Sequence, residues 1–188
     1  MNTLYQTLED RNNPDYIEDN GPFICRRVTA WLGDGYYFWD SLIELAHKWG
    51  GETYKKMGKG YIVCSAKIDG WEKCYDLLGD LEKVKEFRDI STLLLEQNIF
   101  SHSELLVANV LTYMRENGLF PYEAIRVHPI NSFNFAGQTQ QSHLPFVKKH
   151  KAYLDMIPAV QVCLLKPNGL GLNDFKIVFP DDYVIEIA

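Results

Sequence analysis

Between Gly33 and Gly50 the chain gathers residue types that could grip a flat ring. Leu32-Gly33-Asp34-Gly35 leads into Tyr36-Tyr37-Phe38-Trp39-Asp40-Ser41, and Ala46 and Trp49 follow. Two aromatic faces hold a flat, positively charged ring by stacking and cation–π attraction, at about 0.5–2 kcal/mol per contact. Tyr37 on a strand and Trp49 further along the next helix could supply those faces. Gly33 and Gly35 let backbone pass close to a ligand and allow positive φ. The structural alternative is that Tyr36, Phe38, Trp39 and Trp49 are simply core anchors.

These residues need elements to position them. Residues 1–21 are polar and rich in turn formers, and read as an N-terminal arm with one helical turn. Phe23-Ile24-Cys25-Arg26-Arg27-Val28 reads as a short strand, and Tyr36 to Trp39 as a second. Asp40 or Ser41 can cap a helix whose Leu42, Leu45, Ala46 and Trp49 share one face, and Gly50-Gly51 stops it. Tyr61 to Ile68 is a strand. Residues 71–117 have helical spacing, with a capping box at Ser101-His102-Ser103-Glu104 and a stop at Asn117-Gly118. Residues 119–158 read as a long loop with a short helix near 145–155. Ala159 to Leu165 is a strand, and Phe175–Phe179 with Tyr183–Ile187 forms a hairpin. Strands at both ends with helices between define an α+β class.

The Gly33–Gly50 segment resembles the NAD-binding core of the ADP-ribosyltransferase superfamily, closest to its poly-ADP-ribose polymerase and diphtheria-toxin branch. That branch has a Gly-x-Gly-x-Tyr-Phe strand, then a helix with a small residue and a second aromatic. Gly33, Gly35, Tyr37 and Phe38 match the first part, and Ala46 and Trp49 the second, with Trp where Tyr is common. The resemblance implies a split β-sheet core with a helical insertion, as one domain over 22–188 after the arm. It implies NAD as substrate and nicotinamide held between Tyr37 and Trp49, with Gly35 beside the cofactor. It also implies a polar residue on the first strand for the adenine-side ribose. Arg26 is the first choice there and Arg27 the second, because alternation turns only one inward. The spacing from Arg27 to Gly33 is shorter than the family's.

A third element is a Glu opening a later strand, where it steadies an oxocarbenium-like ribose. The positional match is Gln161, in Ala159-Val160-Gln161-Val162-Cys163-Leu164, and Asp182 is the rival. Gln can bond a hydroxyl but brings no charge, which often costs roughly 10²–10³ in rate. The resemblance thus implies a mono-ADP-ribosyltransferase acting on a protein or nucleic-acid acceptor, as a toxin or a phage or defence effector, with an antitoxin or target protein as partner. Asn134, Gln138, Gln140, Gln141, Ser142 and His143, in the loop 131–151, would face the acceptor. Two readings compete: an inactive NAD or ADP-ribose binder or protein-interaction module of the same fold, and an unrelated α+β domain.

Composition bounds these readings. The net charge of −6 over 188 residues argues against a general nucleic-acid coat. Basic patches remain at Arg26-Arg27 and around Lys148, Lys149 and Lys151. The four cysteines lack metal-ligand spacing and read as buried, reduced thiols. The start lacks a signal-peptide pattern, and apolar runs stay short of the roughly 20 residues of a membrane span. The expectation is a cytoplasmic protein without a membrane partner or a metal site, in which His47, His102, His128 and His150 are solvated or structural.

Overall fold

The computed structural model describes residues 2–129, 143–148 and 152–184. Its strands are β1 (Asn2–Glu9), β2 (Tyr36–Asp40), β3 (Tyr61–Ile68), β4 (Cys74–Asp76), β5 (Ala124–Val127), β6 (His143–Pro145), β7 (Tyr153–Asp155), β8 (Gln161–Leu164) and β9 (Asn173–Phe179). Its helices are α1 (Pro14–Asn20), α2 (Ile43–Thr53), α3 (Leu81–Glu96) and α4 (Val107–Glu116). Among the described residues, seven strands share one sheet in the order β4-β5-β8-β2-β1-β3-β9, and β6 pairs with β7. Among these pairs β4–β5 is parallel and the others are antiparallel. The described residues are therefore mixed α+β, with a large, mostly antiparallel sheet and four helices.

The polar N-terminus is not an arm. Residues Asn2 to Glu9 form a central strand between β2 and β3. Their composition is polar but their pattern alternates: Leu4, Gln6 and Leu8 on one face, Tyr5 and Thr7 on the other. Leu4 and Gln6 are buried. The expected strand Phe23–Val28 is also corrected. Only a single bridge, Cys25 to Gly35, forms there, and Arg27 to Ala30 turns back on itself.

The two faces are covered differently. Along β3, Ile62 and Cys64 pack with Ile17 of α1 and Ile177 of β9. Val63, pointing the other way, packs with Trp39 and with Leu45 and Ala46 of α2. On that same side, Cys163, Ile125 and Tyr75 meet Leu94 of α3 and Val110, Leu111 and Met114 of α4. The α2 register holds as read, but its ends do not. Leu42 is the N-cap without a side-chain bond, because Asp40 is engaged elsewhere. The helix runs through Gly50-Gly51 to Thr53, since Gly50 lies against the Tyr61 ring and tolerates no Cβ.

Other boundaries moved as well. Only the Glu half of the Ser101–Glu104 box forms: Glu104 Oε2 accepts from Ser101 N and also from Ser101 Oγ, while Glu104 N donates to Ser101 O, so the box closes a turn and α4 starts later, at Val107. Residues 71–76, read as helical, are a 3-10 turn followed by β4. The segment read as a loop contains β5, and the expected helix near 145–155 is the β6–β7 ribbon. Asp181–Tyr183 is a 3-10 turn instead of the start of a strand; Ile185 to Ile187 lie outside the described residues.

One seam of the sheet positions the site. β1 pairs with β3 along its whole length, from Asn2↔Ile68 to Glu9↔Tyr61. Against β2 it pairs only at Leu4↔Asp40 and Tyr5↔Trp39. From Gln6 onward the two strands part.

Candidate functional site

The gap at the parted seam is bridged by a side chain. Gln6 Nε2 donates to Phe23 O at 2.9 Å and Phe23 N donates to Gln6 Oε1 at 2.9 Å. The same Nε2 lies 3.4 Å from Tyr37 O. A buried amide that satisfies both ends of its dipole is a strong local clamp. It holds the Phe23–Cys25 segment where a ladder would otherwise continue. The Cys25–Gly35 bridge, with N–H···O distances of 2.8 and 3.2 Å, holds the other end of that segment.

Above this seam lies a cleft of about 290 Å³. Arg26, Arg27, Tyr37, Trp49 and Gln161, the residues the sequence singled out, all line it, together with Gln6. They come from four separate segments. Tyr37 and Gln161 share a face because Trp39 pairs with Gln161 and Tyr37 with Cys163, two residues on. Trp49 reaches the same place from α2, which is tied to β1 by Thr7 Oγ1 donating to Ala46 O at 2.8 Å.

The Tyr37 hydroxyl is already committed. It donates to Gly33 O at 2.7 Å and accepts from Leu32 N at 2.8 Å. Burial, reinforced by neighbouring Cys163, pushes its pKa above the ordinary tyrosine value. Its hydroxyl is therefore closed to a ligand, and its half-buried ring lines the cleft while packing against the core that contains Leu32 and Cys163. Gly33 takes φ +80° in the turn that receives this hydroxyl.

Gly35 does not line the cleft. A Cβ there would collide with Cys163 Sγ and lie 2.9 Å from Leu164 O. Its lack of a side chain serves the β2–β8 packing. Asp182 sits in the turn after β9, at the opposite edge of the sheet from β4, and away from the cleft.

The two arginines both reach the cleft, contrary to the alternation argument, because residues 26 and 27 are not in a strand. Arg27 Cζ lies 5.8 Å from the Trp49 ring centroid and 5.9 Å from that of Tyr54. Its Nη2 is 3.4 Å from Tyr54 Oη. Burial raises the Tyr54 pKa, and the nearby Arg27 opposes that shift. Arg26 makes only a loose, exposed contact with Asp34, at 3.9 Å. Among the described residues the lining carries these two cations and neither Asp nor Glu. Inside a chain of net charge −6, this is a local field suited to an anion.

Sequence reasoning missed Gln6 and Tyr54. The alternation of residues 2–9 was the available signal for Gln6. Tyr54 was hidden by reading Gly50-Gly51 as the helix end. Of the acceptor-facing loop, Asn134, Gln138, Gln140, Gln141 and Ser142 lie outside the described residues, while His143 opens β6. Metal-ligand clusters of three or more His, Cys, Asp or Glu do not occur among the described residues, nor does a helix long and apolar enough to cross a membrane.

The fold and site thus define an α+β protein with an aromatic, arginine-lined cleft at a parted sheet seam. No family model, curated protein or solved structure matches the chain.

Proposed function

We propose that the cleft binds NAD and that the chain is a mono-ADP-ribosyltransferase. It would cleave the nicotinamide–ribose bond and pass ADP-ribose to a protein or nucleic-acid acceptor. The observation that carries the reading is the convergence of Tyr37, Trp49 and Gln161 in one cleft. The parted β1–β2 seam supports a split sheet of the ADP-ribosyltransferase kind, with α3 and α4 as its helical insertion.

In this reading the nicotinamide ring stacks on Trp49, with the second aromatic face supplied by Tyr37 or, where Arg27 now lies, by Tyr54, and Arg26 and Arg27 face the pyrophosphate. Gln161 bonds a hydroxyl of the nicotinamide-side ribose. Gln6 on β1 acts at one remove, by fixing the wall from which Arg26 and Arg27 hang. The C1′–N bond breaks with its electron pair going to the nicotinamide nitrogen, which becomes neutral. The acceptor nucleophile then bonds C1′ from the opposite face and loses its proton. Without a carboxylate, Gln161 offers the ribose cation only a dipole, so turnover is slow.

A second reading is favoured by one observation, the lack of Asp and Glu in the described lining. It is an NAD or ADP-ribose binder that does not transfer. One experiment separates them. Titration calorimetry with NAD is expected to show binding that Trp49→Leu weakens about tenfold, the loss of one stacking face. Chromatography of the same mixtures, with cell lysate as acceptor, is expected to show nicotinamide release. Binding without release leaves the second reading; no binding removes both.

A further inference from the structure

Arg27 stands in an unusual place for a residue whose proposed partner is a phosphate. Its guanidinium lies over the rings of Trp49 and Tyr54, 5.8 and 5.9 Å from their centroids, with Nη2 3.4 Å from Tyr54 Oη. A guanidinium is itself a flat, delocalised cation. It thus satisfies the chemistry that an aromatic pair offers to a flat cationic ligand. The side chain is exposed and hangs from a turn, Arg27 to Ala30, that is pinned to the sheet on both sides, upstream at Phe23 and Cys25 and downstream at Leu32 and Gly33, which the Tyr37 hydroxyl holds; movement of Arg27 is therefore movement of its side chain. Carboxylates that could hold Arg27 away from the rings are lacking in the described lining.

We infer that Trp49 and Tyr54 form a receptor for planar cations and that Arg27 is its built-in occupant, displaced when a ligand's own cationic ring enters. This rests in part on the NAD reading and deepens it. The displaced guanidinium stays within the cleft, where it is free to pair with an anionic group of the same ligand. Arg27 is thereby a specificity-determining residue. A planar cation without an anion competes with Arg27 for the rings and gains no partner from it. An anion without a ring does not displace it from them. A ligand carrying both exchanges one cation for another and adds an ion pair.

The test uses two half-ligands on the full chain, measured by titration calorimetry. The methylnicotinamidium cation has the ring and no phosphate; ADP-ribose has the diphosphate and no nicotinamide. Arg27→Ala is expected to bind methylnicotinamidium about five- to tenfold more tightly than the unaltered chain, the cost of two cation–π contacts no longer displaced. The same variant is expected to bind ADP-ribose with affinity changed by less than about twofold, because an anion without a cationic ring leaves Arg27 on its aromatic partners, and to bind NAD about fivefold more weakly for want of the ion pair. Adding Trp49→Leu or, separately, Tyr54→Leu to Arg27→Ala should reduce the gain for methylnicotinamidium. Equal or weaker methylnicotinamidium binding by Arg27→Ala overturns the inference, as does a gain that survives both ring replacements. NAD failing to bind both the unaltered chain and Arg27→Ala removes the NAD reading, while the methylnicotinamidium arm still decides whether Arg27 occupies a planar-cation site.

Discussion

Gln161 stands opposite Trp39 on the neighbouring strand, on the face that Tyr37 also presents to the cleft. A polar residue in an apolar strand is legible from sequence because it breaks a local pattern. What it faces is not legible. If Gln161 lies beside the reacting ribose carbon, replacing its amide by a carboxylate places negative charge where positive charge develops. Gln161→Glu is then expected to raise nicotinamide release about 10²-fold, read by chromatography against an unchanged NAD affinity. A rate that does not rise would place the reacting carbon away from residue 161. Tyr37 and Trp49 were legible for the same reason as Gln161, since glycine spacing and helix register are local. The choice between Arg26 and Arg27 was not, because it assumed an alternation that a turn does not obey.

The elements decide whether those residues meet. The β1–β2 seam is shut at one end and open at the other. At the shut end Asp40 accepts from Arg126 Nε at 2.8 Å, and Arg126 Nη1 donates to Asp76 Oδ2 at 3.1 Å, joining β2, β5 and β4. Trp71 covers this guanidinium at 5.6 Å. At the open end Gln6 takes over from the backbone ladder. Gln6→Leu keeps the volume and removes the clamp, leaving the Phe23 N–H and C=O without their partner. The expected loss is about 2 kcal/mol of stability by urea unfolding, the cost of stranding partly buried polar groups. NAD affinity should fall with it, because Arg26 and Arg27 hang from the segment that Gln6 holds. A variant of unchanged stability would show that the Cys25–Gly35 bridge suffices.

Across the whole molecule, burial makes the fold sensitive to alkali. Desolvation pushes the thiols of Cys64, Cys74 and Cys163 up to about 12, and raises Tyr37 and Tyr75 above the ordinary tyrosine range. Each group is protonated in the folded chain at pH values where the unfolded chain has lost the proton. Stability is therefore full below a pH of about 8 and falls as pH rises through the ordinary thiol range toward 12. Urea midpoints measured at pH 7, 9 and 10.5 should fall slightly at the second and steeply at the third. A flat profile would contradict the burial of these thiols. Three of the four cysteines are indeed buried and free, as their apolar surroundings implied, while Cys25 is half-buried beside the cleft.

The sequence by itself determined the α+β composition, the Tyr36–Asp40 strand, the facing of Leu45, Ala46 and Trp49 on the following helix, and the strand that Gln161 opens. Each follows from periodicity within a few residues, where side-chain type and backbone geometry are coupled directly. Only the tertiary structure decided that residues 2–9 lie in the centre of the sheet and that the sheet parts at β1–β2. It alone placed Arg27 on Trp49 and Tyr54. These depend on which strands become neighbours, and pairing joins residues far apart in the chain. A polar strand such as β1 is stabilised in the sheet centre by a full ladder to β3 and by a clamp to Phe23. Its few apolar residues add to this, with Leu4 fully buried and Tyr5 and Leu8 packed against the clusters on either face.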